Sequence, residues 1–241
     1  MLFISSISGL NFLVSCITPA CIAGVISLED ALRLVAARGR LMQSLPQGGK
    51  MVSVAADETT VLNAIANDPF VSIAAVNAPQ SIVISGEEAA VDVVAGRLGK
   101  SGVKTTTLKV SHAFHSKMMD PILEEFRTEL RDIDFKPPKK ILISNITGKS
   151  WDNKQLLVDY WVDHLRGTVR FSDGITHAKS KKIDIYIQEG GLSSIIIKDD
   201  GIGINKNEIE FIIPNIDNIV QISLKYDFCL LYTSPSPRDR G

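Results

Sequence analysis

The stretch VSIAAVNAPQSIVISG, residues 71–86, has two runs rich in valine and isoleucine on either side of a polar, proline-containing tetrapeptide. β-Branched side chains favour extended backbone, whereas asparagine and proline favour turns. The stretch therefore predicts two adjacent strands that are joined by a turn at Asn77-Ala78-Pro79-Gln80.

Strand and helix patterns alternate on both sides of this pair. Upstream, the strand pattern MVSVAA precedes a helix near residues 57–66, and downstream a helix over residues 87–100 precedes the strand pattern VKTTTLKV. The order β-α-β-β-α-β is that of the split ferredoxin-like unit, a small sheet with two helices on one face. We expect this subdomain to occupy about residues 50–110.

The segments around this unit predict a larger α/β body. Ser27, followed by two acidic residues and by apolar residues at helical spacing, predicts a capped helix over residues 28–44. The remaining patterns predict a helix over residues 117–131, a break at Pro137 and Pro138, a strand ILISN, and a helix around residues 159–165.

The apolar stretch before Glu29, the first charged residue, leaves two interpretations open. It is long enough for a membrane helix or a signal peptide. A signal peptide usually begins with basic residues, which this stretch lacks, and Pro19 and Gly24 interrupt its apolar run. These interruptions favour the second interpretation, a helix buried in the core.

Composition argues against several classes of function. The chain has 26 basic and 27 acidic residues and a net charge of -1, so it has no overall attraction for nucleic acid or for an anionic membrane. Its three cysteines lack the spacing of metal ligands and are odd in number, so we predict neither a metal site nor a disulfide framework. Such cysteine usage fits a reducing, cytoplasmic location.

A histidine-containing segment, VSHAFHSKMMDPILEEF, places His115 between a strand end and a helix start, where active-site residues often lie. Four other segments accompany it in order: AGVISLEDALRLVAARGRLMQ, AAVNAPQSIVISG, ISNITGK and YWVDHLRGTVRF. Together the five resemble the malonyl and acyl transferases of fatty acid and polyketide synthases. The resemblance implies that residues 21–176 form an incomplete α/β-hydrolase-like acyltransferase body, into which the ferredoxin-like subdomain is inserted.

The resemblance implies roles for particular side chains. In the family a serine attacks the acyl thioester, and a histidine, here His115, takes its proton and later returns it to the leaving thiol. The arginine that holds the carboxylate of a malonyl group falls on Arg38, whereas Arg40 should face elsewhere on the helix. His112 and Phe114 belong to HAFH, which resembles a pocket motif associated with malonyl selection. Phe114 would disfavour the extra methyl group of methylmalonyl.

Substrates and partners follow from the same resemblance. The acyl donor would be a coenzyme A thioester, and the acceptor would be the phosphopantetheine thiol of an acyl-carrier protein. Neighbouring synthase domains would be further partners. We expect no permanently bound cofactor, no metal, no nucleic acid and no membrane partner.

The family's nucleophile is absent from its expected place. Relatives hold the serine in a GHSxGE-type elbow about eleven residues before the AGV of the first segment, a distance that leads here to Leu13. Ser8 lies too early, and Ser15 lacks the flanking motif. The glutamine-bearing GQG loop of relatives is also absent. We therefore predict that residues 1–20 are unrelated to the family and that the domain lacks its first part.

Residues 177–213 also depart from the family and are predicted to be a foreign segment, a β-hairpin over residues 183–200 followed by a helix that starts at Asn205. Residues 214–241 are predicted to be an unstructured tail, because they end in the polar, proline-broken YTSPSPRDRG.

Within the foreign segment, residues 178–213 resemble a stretch of the MutL-type mismatch-repair ATPases. This resemblance implies a nucleotide site at Asp199, Gly201 and Gly203. The alternative is a hairpin that simply ends in a glycine turn. The magnesium-binding asparagine and catalytic glutamate of that family have no counterpart upstream, where acyltransferase-like sequence stands instead.

Three functions thus remain open. The first is malonyl-type acyl transfer from coenzyme A to a carrier protein, which is the function of the intact family. The second is a non-catalytic role, as a pseudoenzyme or as a fragment that docks on the carrier protein. The third is nucleotide binding through residues 178–213.

Overall fold

The structure is a computed structural model that describes Ile17, residues 19–151 and 158–180, and five later strands. For residues 179–180 and the later strands it describes the backbone alone. Within these ranges no helix is both long enough and apolar enough to cross a bilayer.

Helix α1 (Leu28–Gln43) begins at the predicted cap, where the Oγ of Ser27 accepts a hydrogen bond from the backbone N–H of Asp30 at 3.0 Å. Its buried face contains Ala31, Leu34, Ala37, Arg38, Leu41 and Met42. Residues 19–22 upstream are helical and pack into the same core, as the buried-helix interpretation predicts for this end of the N-terminal stretch. Residues 1–16 lie outside the described part.

Four strands form the small sheet: β1 (Gly49–Val54), β2 (Val71–Ala78), β3 (Ser81–Glu87) and β4 (Thr105–Thr107). Their order across the sheet is β2-β3-β1-β4, and each neighbouring pair is antiparallel. Helix α2 (Glu58–Ile65) connects β1 to β2, and helix α3 (Glu88–Lys100) connects β3 to β4. The elements therefore follow one another in the order β-α-β-β-α-β.

The two faces of the small sheet contribute to separate cores, because side chains alternate along a strand. One face packs against α2 and α3 through Val52, Val54, Val61, Ile82, Ile84, Val91, Val94 and Leu98. The opposite face contributes Met51, Ala74, Ala75 and Val83 to the core that also contains α1. Burial on both faces explains why residues 71–86 are apolar almost throughout rather than alternating with polar residues.

The turn between β2 and β3 is shorter than predicted. Ala78 pairs with Ser81, so only Pro79 and Gln80 form the turn. Asn77, predicted as a turn residue, is instead a buried residue of β2. The prediction was wrong because tertiary burial of the strand outweighs the local turn preference of asparagine.

The helix predicted over residues 117–131 is divided. A 3-10 helix (Lys117–Ile122) leads into α4 (Leu123–Glu129). Pro121 lies within the 3-10 turn, where it has no N–H to donate to a regular α-helical ladder. Helix α5 (Val158–Arg166) matches the prediction closely, and α6 (Phe171–Ser180) follows it.

The predicted strand ILISN does not form. Ile143 makes only an isolated antiparallel bridge to Ser150. The Oγ of Ser144 accepts hydrogen bonds from the backbone N–H groups of Ile146 and Thr147 at 3.2 and 3.3 Å. These side-chain contacts turn the backbone directly after Ile143 and so end the extended conformation.

Residues 167–170, between α5 and α6, run alongside β2. The backbone N–H of Val76 donates to the carbonyl of Val169 at 2.8 Å, and the N–H of Val169 donates to the carbonyl of Ala74 at 2.9 Å. Ala75 and Val169 thereby form a parallel bridge. We call these four residues the anchored segment, since they attach the body of the chain to the small sheet.

Strands β5 (Ile183–Gln188), β6 (Ser194–Asp199) and β7 (Ile209–Ile212) form a second sheet. β5 and β6 pair antiparallel across the range predicted as a hairpin. β7 lies where the helix after Asn205 was predicted, so that prediction was wrong for residues 209–212. Isoleucine and phenylalanine in IEFI favour extended backbone and explain the difference.

The C-terminal range contains a further pair of strands, β8 (Val220–Ser223) and β9 (Cys229–Tyr232), which are antiparallel. The prediction of an unstructured tail over residues 214–241 was therefore wrong for these eight positions. Their sequences, VQIS and CLLY, contain apolar residues that favour strands. The prediction rested on the polar end of the chain and gave these residues too little weight. The YTSPSPRDRG end, apart from Tyr232, lies outside the described residues.

Candidate active site

His115 lies in a tight turn between β4 and the 3-10 helix. Its φ is 57°, and among the described residues it is the one non-glycine residue with a positive φ. This conformation is costly for a residue with a Cβ, and it occurs often at functional sites. Ser116 stabilises the turn, because its Oγ donates to the Ala113 carbonyl at 2.6 Å and accepts from the backbone N–H of Met118 at 3.2 Å.

The imidazole of His115 is buried and oriented by a backbone carbonyl. Its Nδ1 lies 2.9 Å from the carbonyl oxygen of Gly167, the first residue of the anchored segment. A carbonyl oxygen can only accept, so Nδ1 must carry the proton in this contact. The lone pair of the neutral ring is then on Nε2, which is the ring nitrogen able to accept a proton.

Arg38 projects from α1 into the same region and is 1% exposed. Its Nη1 lies 3.2 Å from Nδ1 of His164, on α5. Two positions along α1, Arg40 is largely exposed and pairs with Glu125 and Glu129 at 3.3 and 2.7 Å. The prediction that the two arginines face different surroundings is confirmed.

His164 connects the two predicted site residues, and sequence reasoning missed it. Its ring is edge-on to that of His115, with centroids 6.0 Å apart and an interplanar angle of 84°. Its Nε2 is buried with no hydrogen-bond partner among the described residues. A signal was present in YWVDHLR, where His164 lies three and four residues after Trp161 and Tyr160 and so shares their apolar helix face.

Arg38, His115 and His164 form a buried cluster, and both of its histidines are neutral at physiological pH. Burial, helped by the charge of Arg38, lowers the pKa of His115 to about 3, although hydrogen bonds to the backbone of Gly167 and then of His164 act in the opposite direction. Burial and then the charge of Arg38 also lower the pKa of His164 well below its usual range. The cluster thus combines a neutral base with a fixed cation, an arrangement that can accept a proton and hold an anion.

The structure gives the other two residues of HAFH different surroundings. Nε2 of His112 lies 3.1 Å from the carbonyl oxygen of Leu45, near the end of α1. The ring of Phe114 belongs to the core that contains α1, and its centroid lies 6.1 Å from that of His112. Their contacts therefore involve the core and the backbone, and their assignment to the substrate pocket stays a prediction.

The remaining site predictions lie mostly beyond the described residues. Asp199 is the last residue of β6, for which only the backbone is described, and Gly201 and Gly203 fall outside. Ser8 and Ser15 also fall outside. The nucleotide site, and with it the MutL-type resemblance, stays a prediction. Among the described residues, no group of histidine, cysteine, aspartate and glutamate side chains could hold a metal ion.

Comparison with known proteins gives a family match over most of the chain. The sequence profile of the acyl transferase domain family matches residues 17–188. The match begins within residues 1–20, predicted to be unrelated, and ends within the segment predicted to be foreign. It includes the small sheet, the anchored segment and all three residues of the cluster.

Curated relatives are polyketide synthases or similar proteins. The chain is 44% identical over 176 residues to the phenolphthiocerol synthesis polyketide synthase type I Pks15/1 of Mycobacterium marinum, an alignment that covers 72% of this chain and 8% of that protein. It is 42% identical over 180 residues to the mycoketide-CoA synthase of Mycobacterium tuberculosis, covering 75% of this chain and 4% of that protein. The chain thus spans a small part of either relative's length.

Solved structures of similar fold include acyltransferase domains. The acyltransferase domain from the second module of the salinomycin polyketide synthase is 49% identical, with a TM-score of 0.66 over 68% of this chain and 39% of that one. The malonyl CoA-acyl carrier protein transacylase of Clostridium perfringens is 28% identical, with a TM-score of 0.65 over 68% of this chain and 54% of that one.

Proposed function

This chain belongs to the acyl transferase domain family, and we propose that its site serves the transfer of a malonyl-type acyl group from coenzyme A to an acyl-carrier protein. The observation that supports this most directly is the cluster of His115, Arg38 and His164, in which a neutral base and a buried cation both adjoin one imidazole. The partner would be a carrier protein within a synthase, and neighbouring synthase domains would surround it.

His115 supplies the base of the proposed reaction. In an intact domain, its Nε2 would take the proton of the elbow serine as that oxygen attacks the thioester carbonyl and forms an acyl-serine ester. The imidazolium would then give this proton to the sulfur of coenzyme A as the C–S bond breaks. The Nδ1 contact with Gly167 would hold the neutral ring in the tautomer with its lone pair on Nε2, and would keep the imidazolium in the same orientation between the two steps. Burial keeps the ring neutral before the reaction, at the cost of weaker basicity.

Arg38 supplies the specificity for an acyl group with a second carboxylate. A guanidinium holds a carboxylate through two parallel charge-assisted hydrogen bonds, which an acetyl group cannot form. Because the side chain is 1% exposed, water competes little for such a contact. We therefore propose a preference for malonyl over acetyl thioesters.

Phe114 is proposed as the wall that disfavours a methylmalonyl group. It is 9% exposed and packs in the core beside the ring of His112, so it has little freedom to move away from a larger substrate. Rejection of one methyl group by such a wall is worth about 1–3 kcal/mol. This supports a modest preference rather than exclusion.

The nucleophile is the missing part of the site. The chain has no serine in a GHSxG-type elbow ahead of Ala23. The chain on its own therefore offers the base and the carboxylate-binding half of a transferase site. We propose that it binds the acyl thioester without forming a lasting acyl-enzyme.

The small sheet corresponds, in this proposal, to the ferredoxin-like subdomain of the family. Its element order and its strand order of β2-β3-β1-β4 support that interpretation. The helices α1, α4, α5 and α6, together with the 3-10 helix, would then belong to the incomplete hydrolase-like body.

Calorimetric titration of the full chain with malonyl-CoA and acetyl-CoA tests the proposal. We expect the wild-type chain to bind malonyl-CoA more tightly, and Arg38→Met to remove that preference. The expected loss is on the order of 10- to 100-fold in Kd, the effect of hydrogen bonds to one charged group. Methionine preserves most of the side-chain volume, so the core around α1 stays filled.

Arg40→Met is the matched control, because Arg40 lies on the same helix but is largely exposed and forms its ion pairs, within the described part of the chain, with Glu125 and Glu129. Its malonyl-CoA affinity should equal that of the wild type. Equal affinity of the wild-type chain for the two thioesters would contradict the proposal, as would an Arg40→Met effect as large as that of Arg38→Met.

A non-catalytic docking role is the second candidate, and the missing elbow serine favours it. Such a chain would bind carrier protein through its surface without using His115. Carrier-protein affinity that is unchanged in His115→Ala, together with equal affinity for malonyl-CoA and acetyl-CoA, would support docking alone.

A further inference from the structure

The anchored segment is attached to the small sheet at successive residues. Val169 exchanges two backbone hydrogen bonds with β2, at 2.8 and 2.9 Å. The hydroxyl of Thr168 donates to the carbonyl of Ile73, also in β2, at 2.7 Å. Three hydrogen bonds thus fix the register of this short piece of chain against one strand.

Arg170 adds a side-chain contact to the helix that covers the small sheet. Its Nη1 and Nη2 donate to the two carboxylate oxygens of Glu58, on α2, at 2.5 and 3.2 Å. Its Nε donates to Asp173 at 2.6 Å. The side chains of Arg170 and Glu58 are 28% and 32% exposed, so the pair is largely shielded, and its two-point geometry restricts the position of the backbone.

Gly167 stands immediately before these attachments, and its backbone is constrained on the other side as well. Its N–H donates to the carbonyl of Asp163, in the last turn of α5, at 2.6 Å. Its own carbonyl contacts Nδ1 of His115 at 2.9 Å. The direction of this carbonyl therefore depends on how the following three residues are held.

We propose that Glu58, Arg170 and Thr168 are positioning residues, which act through the anchored segment to hold the Gly167 carbonyl against Nδ1 of His115. The small sheet thereby sets the ring orientation and the tautomer of the base, although none of its strands contributes the base itself. This inference rests on the proposed function only for the role of His115, because the geometry exists without any substrate.

The tautomer of His115 can be measured directly by long-range proton–nitrogen NMR of the full chain labelled with ¹⁵N-histidine. The chain has four histidines, and single histidine-to-glutamine variants assign their signals. In the wild type we expect His115 to be protonated at Nδ1. In Glu58→Gln and in Thr168→Val, we expect the ratio of the Nδ1-protonated to the Nε2-protonated form to fall by about fivefold, which corresponds to about 1 kcal/mol, the net contribution of one hydrogen bond.

Asp68→Asn is the matched control. Arg97, on α3, forms an ion pair with Asp68 at 2.9 Å. Among the described residues, no side-chain hydrogen bond or ion pair shown by the structure joins Asp68 to the anchored segment. The tautomer ratio of His115 should equal that of the wild type in this variant. Thr168→Val keeps the shape of the side chain, so its result decides the matter if Glu58→Gln does not fold.

Two outcomes would overturn the inference. One is an unchanged His115 signal in Glu58→Gln, or in Thr168→Val if Glu58→Gln does not fold. The other is an equal change in Asp68→Asn, which would indicate general loosening. Neither depends on binding or transfer of an acyl group. If the wild-type chain failed to bind malonyl-CoA while Glu58→Gln and Thr168→Val shifted the tautomer ratio, the proposed function would be refuted and the positioning role would stand.

Discussion

Arg38 and His164 meet side chain to side chain in the core, with Nη1 of the guanidinium 3.2 Å from Nδ1 of the imidazole. A guanidinium only donates hydrogen bonds, so the imidazole accepts and must be neutral in this contact. Burial and the charge of Arg38 both lower the pKa of His164, in agreement with that assignment. A protonated His164 would repel Arg38, so the neutral ring is a condition for the observed geometry.

The effect of replacing His164 should therefore depend on whether the new side chain can accept a hydrogen bond from Arg38. His164→Leu removes the acceptor and should cost about 1–3 kcal/mol in the free energy of unfolding, because a buried donor loses a partner. It should also weaken the preference for malonyl-CoA. His164→Gln provides an amide oxygen that can accept and should retain most of both properties. Urea denaturation and calorimetric titration measure the two effects, and equal stabilities of the two variants would contradict the assignment.

The resemblance predicts Arg38 and His115 as site residues, but it does not predict His164, which lies beside both. Arg38 and His164 are 126 positions apart, and their contact exists only because α5 packs beside the region that α1 reaches. No local pattern encodes such a contact, and a histidine on an apolar helix face is compatible with many roles. The same limit applies to Gly167, whose functional group is a backbone carbonyl that the identity of the residue does not reveal.

Local patterns predicted the elements well where they agreed with burial. The cap of α1 and the apolar patterns of α1, α2 and α3 gave bounds within a residue or two. The predictions of a turn at Asn77 and of a strand at ILISN were wrong for opposite reasons. Burial kept Asn77 in a strand despite its turn preference, whereas side-chain hydrogen bonds of Ser144 turned an apolar run that favoured a strand.

The stability of the chain should fall in mild acid because of the two buried histidines. In the unfolded chain each would titrate near 6.5, whereas in the folded chain the pKa of His115 lies at about 3 and that of His164 also lies well below 6.5. Between these values the unfolded state binds more protons, so the stability is complete above pH 6.5 and is lost as the pH falls below it. The slope approaches about 1.4 kcal/mol per pH unit for each histidine.

Urea denaturation at several pH values between 7.5 and 5 tests this expectation. His164→Gln should flatten the dependence, because glutamine does not titrate, and replacing the exposed Arg40 by methionine should leave it as it is in the wild type. A wild-type denaturation midpoint that is constant over this range would contradict the buried, neutral state of both histidines.

Incubation with radiolabelled malonyl-CoA should leave no label on the precipitated chain. The proposed base and the guanidinium are present, but covalent transfer needs a nucleophile on a strained turn, and the sequence has no elbow serine ahead of Ala23. An intact acyltransferase domain with its serine is the positive control. Label retained at any residue of this chain would show that a nucleophile exists that the motif comparison overlooked.

The start of β1 lies close to the backbone of the turn that contains His115, and this contact can be tested with a single added methyl group. A Cβ added at Gly49, the first residue of β1, would lie 2.6 Å from the backbone nitrogen of Ala113. Ala113 cannot move without displacing the turn that holds His115 in its positive-φ conformation. Gly49→Ala should therefore cost about 1–3 kcal/mol, as overpacking does, and should also shift the NMR signals of His115.

Gly96→Ala is the matched change, since a Cβ added there, on α3, meets nothing within 4 Å. It should raise the free energy of unfolding by about 0.5–1 kcal/mol, because alanine is the better helix former, and should leave the His115 signals unchanged. A lower free energy of unfolding for Gly49→Ala and a higher one for Gly96→Ala, both measured by urea denaturation, would thus support the contact between β1 and the histidine turn. A Gly49→Ala variant as stable as the wild type would mean that the turn can shift to make room for the added methyl group. The anchored segment alone would then have to keep the proposed base, His115, in place.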